Sequence, residues 1–284
     1  MAYISDTADT LHVEGRLARY AYRDFGKAAP VPPLVLLQRF RGTLDHWDPA
    51  FLEVLAQDRR VIIFDNAGVS ESTGEVPTTM EGMAESAFDF LTALGLDEVD
   101  LLGWSVGGFV AQLVTLDHPE LVRKLIVAGS GPGGVPGTPE LEQRVVEYMT
   151  SPVPSQEAFL YLFFGLTDEG VRLGKESLAR LETRLQHSKA DVPPEQWTHQ
   201  LQAIQRWSSG TGSAWSRLEE LKLPVLVANG SHDVMVDSGN SFAMAQKLPT
   251  ARTVFYSGAG HAFLFQYPDE FGGVVLDFLN RQEK

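Results

Sequence analysis

Cysteine is absent from all 284 residues. That excludes disulfide staples, thiolate nucleophiles and cysteine-ligated zinc. Long apolar runs are missing as well. Segments such as LIVAG and PVLVANG fall far short of the ~20 residues a membrane helix needs. The opening stretch MAYISDTADTLHVEG has neither the basic patch nor the apolar core of a signal peptide. The expectation is a soluble, cytoplasmic chain without membrane contact. Basic charge is also scarce: 23 Lys and Arg face 37 Asp and Glu, for a formal net charge of -14. No block of Lys or Arg reverses this locally. Such a surface repels phosphate, so no nucleic-acid partner is expected.

What is present is a chain 44% hydrophobic, long enough for one large core and a smaller accessory region. Short, saturated apolar runs recur at Leu34–Leu37, Val61–Phe64, Val99–Leu102, Leu125–Val127 and Val225–Val227. Runs this short and uniform read as central strands of a parallel sheet covered on both faces. Between them lie helical spacings: Trp47, Phe51, Leu52 and Leu55; then Met83, Ala87, Phe90, Leu91 and Leu94, with Gly95 as a stop; then Phe109, Leu113 and Leu116, ended by Pro119. The alternation argues an α/β fold with a doubly wound sheet. Upstream, Leu11–Tyr22 alternates loosely around Gly15 and suits an antiparallel hairpin on the sheet edge.

The pattern breaks after Ala128. A Gly/Pro-rich loop leads into Gly131–Glu220, which has no buried strand run and reads as a helical insertion. Strands resume at Pro224. The division expected is a core of residues 1–130 and 221–284 with a cap of residues 131–220.

The segment Gly103-Trp104-Ser105-Val106-Gly107 is G-x-S-x-G between a predicted strand and a predicted helix. That context gives it meaning. A sharp strand-to-helix turn strains the serine and projects its hydroxyl above the sheet. The Val106 amide, at the helix N-terminus, is placed to donate to a developing oxyanion. Serine needs a base. Of seven histidines, His261 follows the last predicted strand, Thr253–Tyr256, inside a glycine-rich turn, where open sheets place reactive groups. The acid that orients it is expected at Asp233, beyond the Val225–Asn229 strand. The chain order Ser105, Asp233, His261 fits a strand-turn-helix serine hydrolase. Asp237 reads instead as a helix N-cap. His232 reads as a structural or pocket-wall residue.

With these motifs assembled, the chain resembles the α/β-hydrolase superfamily over essentially its whole length. The small esterase, lactonase and cofactor-free haloperoxidase-like group is the nearest in character. The motifs are Gly103–Gly107, Asp65–Ser70, Gly230–Asp233 and Gly260-His261. The resemblance implies a mostly parallel eight-stranded sheet flanked by helices, with a helical cap over the pocket. It implies that the loop after Leu37 supplies a second oxyanion amide, here that of Phe40. Relatives often carry His-Gly in this loop; this chain has Gln38-Arg39. Gln38 is expected to brace the loop. Arg39 is expected either to reach a substrate carboxylate or carbonyl, or to pair with an acidic loop. Gln38, Arg39, Trp104 and Phe263 are the candidate substrate-pocket residues. Asp65, Asn66 and Ser70 form a turn expected to brace the floor of the site.

The reaction implied is two-step acyl transfer on a small, largely apolar ester or lactone, with no metal and no organic cofactor. Two other readings stay open: carbon–carbon bond hydrolysis of a diketone or meta-cleavage-type product, and a noncatalytic small-ligand receptor. Peracid formation and small-amide cleavage are weaker enzyme alternatives. A carboxylate-nucleophile epoxide hydrolase or dehalogenase is disfavoured by Ser105. No third ligand stands at motif spacing from His232 and Asp233, so no metal site is expected. Gly129–Gly134 lacks the ending of a phosphate loop. A monomer or homodimer is expected.

Overall fold

The computed structural model describes residues 2–28, 30–165, 167–188 and 191–282. A short helix α1 (Ile4–Thr7) precedes the hairpin of β1 (Leu11–Glu14) and β2 (Arg19–Gly26). Leu11 stands opposite Tyr22, and Glu14 opposite Arg19. Gly15 begins the turn where expected. A Cβ there would lie 2.6 Å from the Tyr20 ring, so only glycine fits.

The alternating part follows as β3 (Leu34–Leu37), α2 (Pro49–Ala56), β4 (Arg60–Phe64), α3 (Met80–Ala93), β5 (Val99–Trp104), α4 (Val106–Asp117) and β6 (Val122–Ala128). Four helices then intervene: α5 (Gln143–Thr150), α6 (Gln156–Phe164), α7 (Asp168–Leu185) and α8 (Pro194–Ser208). The chain returns to the sheet with β7 (Val225–Gly230), α9 (Ser238–Lys247) and β8 (Ala251–Tyr256), and ends in α10 (Phe263–Gln266) and α11 (Pro268–Asn280). The sheet has eight strands in the order β1-β2-β4-β3-β5-β6-β7-β8. The pairs β1–β2 and β2–β4 are antiparallel, and the rest are parallel.

Every residue of β3, β5 and β7 is buried. That is why those runs lack polar alternation: helices cover both faces of the sheet. At the outer edge, β8 is mostly exposed or half-buried, and it starts at Ala251 rather than Thr253. Trp47 also departs from its expected helical spacing. It ends a 3₁₀ turn over Leu44–His46, and α2 begins only at Pro49. Asp48 accepts a hydrogen bond from Ala50 N, and proline takes the first helical position. This cap and this proline fix the helix start more firmly than apolar spacing does.

The insertion is anchored to the sheet domain through α7. Arg180 forks onto Asp48 at 2.7 Å, and Ser177 donates to the same carboxylate at 2.6 Å. One turn further on, Arg184 pairs with Asp45 at 3.0 Å. Asp48 is fully buried, so these donors replace the water its charge has lost. Among the described residues no helix is long and apolar enough to cross a membrane.

Candidate active site

The G-x-S-x-G segment folds as the turn between β5 and α4. Ser105 has φ 57° and ψ -121°, a strained backbone for a residue with a side chain. The packing around it forces this. A Cβ on Gly107 would stand 2.0 Å from the Leu37 carbonyl oxygen, and one on Gly103 would stand 2.2 Å from the Gly107 carbonyl oxygen. Two hydrogen bonds lock the turn: Ser105 N donates to Ala128 O at 2.9 Å, and Ser130 Oγ donates to Ser105 O at 2.8 Å.

His261 and Asp233 meet across two loops beyond β7 and β8. His261 Nδ1 lies 2.6 Å from Asp233 Oδ2. The other carboxylate oxygen accepts from Met235 N at 2.8 Å and Val236 N at 2.9 Å. A carboxylate only accepts, so Nδ1 carries the proton and Nε2 presents its lone pair. The loops are held together by His232 N donating to Ala259 O at 2.9 Å. The His261 ring is fully buried, 5.6 Å from the Trp104 ring and 5.7 Å from that of Phe163. Its Nε2 makes no hydrogen bond to the described residues. Catalytic hydrogen bonds commonly close only around substrate.

A cavity of about 850 Å³ opens over Ser105. Phe40 and Val106 line it beside the serine, as do Asp233 and the exposed His232. Asp237 also reaches it, while accepting from Gly239 N at 2.8 Å as the N-cap of α9. The other four candidate pocket residues are not among its lining. Phe263 is fully buried, stacked on Tyr256 and edge-on to Phe271. Trp104 packs between Trp47, Phe163 and Phe265, and its Nε1 donates to His261 O at 3.1 Å. Gln38 braces the loop: its Nε2 donates to Thr43 O at 3.1 Å, and its Oε1 accepts from Arg39 N at 2.9 Å.

Arg39 takes neither of the orientations expected of it. It turns inward, donating from Nη1 to Phe40 O at 2.7 Å. Its guanidinium carbon lies 4.7 Å from the centre of the Phe163 ring and 5.7 Å from that of Trp104. Its Nε has no partner among the described residues. Burial, with Arg41 nearby, lowers its pKa to about 9. The aromatic faces stabilise a cation that no carboxylate reaches. His46 lies beside it, and burial together with the Arg39 charge pushes that imidazole down to about 3. It stays neutral, and Nδ1 accepts from Thr43 N at 3.0 Å.

Asp65 Oδ1 accepts from Leu44 N at 2.7 Å, holding the loop that carries Phe40. Burial raises its pKa to about 7, against the lowering effect of that bond.

Several contributors were not legible in the sequence. Arg41 has φ 54°, and its amide donates to Gln200 Oε1 on α8 at 2.9 Å. Arg41 Nη1 donates to Ser151 O at 2.7 Å, and its guanidinium lies over Trp197 at 4.9 Å. The inserted helices therefore grip the loop around Phe40. No local motif marks a glutamine 159 residues away as a partner. The aliphatic cavity wall from α5 and α8, Met149, Leu201 and Ile204, was equally unmarked. Among the described residues no cluster of three His, Cys, Asp or Glu is arranged to hold a metal ion.

A sheet of this order with a strained serine between strand and helix is the α/β-hydrolase architecture. A family model described as alpha/beta hydrolase fold matches residues 32–268. The solved structure of an alpha/beta hydrolase fold protein from Chitinophaga pinensis matches with a TM-score of 0.88 at 34% identity, covering 98% of this chain and 99% of that one. The chain belongs to the α/β-hydrolase fold family. It is also 26% identical to a candidate carbamate hydrolase, RutD, of Rhizobium rhizogenes, over 88% of this chain and 94% of that protein. The structure of Est816, described as an N-acyl homoserine lactone degrading enzyme, matches with a TM-score of 0.72 at 25% identity, covering 94% of this chain and all of that one.

Proposed function

We propose that this chain is a serine hydrolase that cleaves an ester or lactone through an acyl-enzyme. One observation carries the reading: a strained serine opens onto a large cavity that also reaches Asp233, whose carboxylate is bonded to the buried His261. Ser105 Oγ attacks the carbonyl carbon while His261 Nε2 takes its proton. Asp233 fixes the tautomer and stabilises the imidazolium. The amides of Phe40 and Val106 receive the oxyanion. The imidazolium then protonates the leaving alkoxide, and water activated by the same histidine releases the acid.

The likeness to Est816 supports a lactone as substrate, and the likeness to the candidate carbamate hydrolase supports attack on an acyl-type carbonyl. Carbon–carbon hydrolysis of a carboxylated substrate would use the same triad and call on Gln38 and Arg39. Both side chains are engaged away from the cavity. The experiment is covalent labelling by a fluorophosphonate together with turnover of activated esters. Wild type should label and turn over, and Ser105→Ala should do neither. Labelling without sustained turnover of any acyl substrate sinks the enzyme reading in favour of a ligand receptor.

A further inference from the structure

The cavity carries information about the substrate beyond its bond type. Its volume of about 850 Å³ lies in the upper part of the ~300–1,000 Å³ range of ligand pockets. A short acyl group such as acetyl would leave most of it unfilled. Much of its apolar lining comes from the inserted helices, with Met149 on α5 and Leu201, Ile204 and Trp207 on α8.

Its charge is one-sided. Among the described residues no Lys or Arg lines the cavity, whereas Glu140, Glu142 and Asp237 do, all exposed at its mouth. Glu142 accepts a hydrogen bond from Tyr161 at 3.3 Å and has no cation paired to it in the described structure. Arg144, two residues on, is committed to Glu157 at 3.1 Å and to the Tyr148 hydroxyl at 3.0 Å. Of the two cations flanking Phe40, Arg39 is sealed against Phe163 and Trp104 and donates to Phe40 O, while Arg41 donates to Ser151 O and lies over Trp197. A substrate carboxylate would therefore lose water and meet carboxylates, with no guanidinium or ammonium to replace the lost hydration.

We propose that the substrate is a bulky, uncharged ester or lactone with an extended apolar portion, and that the mouth discriminates against substrates bearing a carboxylate. This rests on the serine-hydrolase reading and narrows it. Each added methylene that reaches the α5–α8 wall contributes hydrophobic stabilisation. The discrimination arises at exposed groups, so it should weaken as salt rises.

The test is a matched series of p-nitrophenyl esters at pH 8: acetate, decanoate, and a ten-carbon diacid monoester with a free terminal carboxylate. Fluorophosphonate labelling of Ser105 runs in parallel. The expected result is kcat/KM for decanoate at least about tenfold above acetate and at least about tenfold above the carboxylate ester. The decanoate-to-carboxylate ratio should shrink at high salt and in Glu140→Lys and Glu142→Gln, both at exposed positions. Labelled protein that prefers acetate, or takes both ten-carbon esters equally, overturns the substrate inference alone. Protein that neither labels nor turns over any ester overturns the hydrolase reading beneath it.

Discussion

Trp104 Nε1 donates to the backbone carbonyl of His261 at 3.1 Å, tying the residue before the serine to the histidine 157 positions later. The indole has 1% of its surface exposed and fills the space between Trp47, Phe163 and Phe265. It therefore sets the height of the imidazole above the sheet instead of touching the cavity. Trp104→Phe keeps an aromatic ring but removes the donor and leaves a void. Stability should fall by about 2–4 kcal/mol, the sum of a lost buried hydrogen bond and a partial cavity. The rate of fluorophosphonate labelling should fall with it while probe affinity changes little. Unchanged labelling at reduced melting temperature would assign Trp104 to packing alone.

Asp233 uses both oxygens, one on His261 Nδ1 and one on the amides of Met235 and Val236. Asp233→Asn keeps an oxygen for those amides. It removes the charge behind the imidazole and favours the wrong tautomer. The expected outcome is a loss in kcat of about 10³- to 10⁴-fold, with a circular-dichroism spectrum like that of wild type. A loss below tenfold would mean that another carboxylate orients His261.

Asp65 is buried, and its carboxyl is raised to about 7 from 3.8. Burial is the main cause, opposed by the hydrogen bond from Leu44 N. A raised carboxyl binds its proton more tightly in the folded state. Its contribution is therefore fully present below about 3.8 and is lost as pH rises through about 7. The slope in that window is about 1.4 kcal/mol per pH unit at most. Asp65→Asn is always neutral and keeps the acceptor for Leu44 N. Relative to wild type, it should gain stability between pH 5 and pH 8, as read by urea denaturation at each pH. A constant difference across that range would contradict burial of the carboxyl.

Arg180 neutralises Asp48, a fully buried carboxylate that also caps α2. Removing one member of such a pair strands the other charge. Arg180→Ala should cost about 3–5 kcal/mol. Because Arg180 lies on α7, the same change should speed hydrogen exchange in α7 more than in β5 or β6. Uniform loss of protection would mean that the insertion and the sheet unfold as one unit.

The core strands were legible because each has a run of buried apolar residues that burial on both faces requires, as in Val61–Phe64 and Val225–Val227. The elbow was legible for a different reason. Gly103 and Gly107 face backbone at distances that admit no Cβ, and such positions leave a spaced glycine signature. Trp47 and Arg39 were not legible. Trp47 was displaced by the cap and proline that directly follow it, Asp48 and Pro49. Arg39 sits in a loop without periodicity, where a cation is normally expected to reach water. Only the ring pair of Phe163 and Trp104, contributed by distant elements, explains its inward turn.

The sequence alone determined the sheet, the order of strand and helix, and the places where Ser105, Asp233 and His261 leave the ends of their strands. Those features follow from short-range patterns: apolar runs, glycine spacing and turn position. Tertiary structure alone decided the 2.6 Å contact of His261 with Asp233, the inward turn of Arg39 and the cavity walled by α5 and α8. These depend on side chains far apart in the chain competing for the same buried space, and packing of that kind leaves no local period to read.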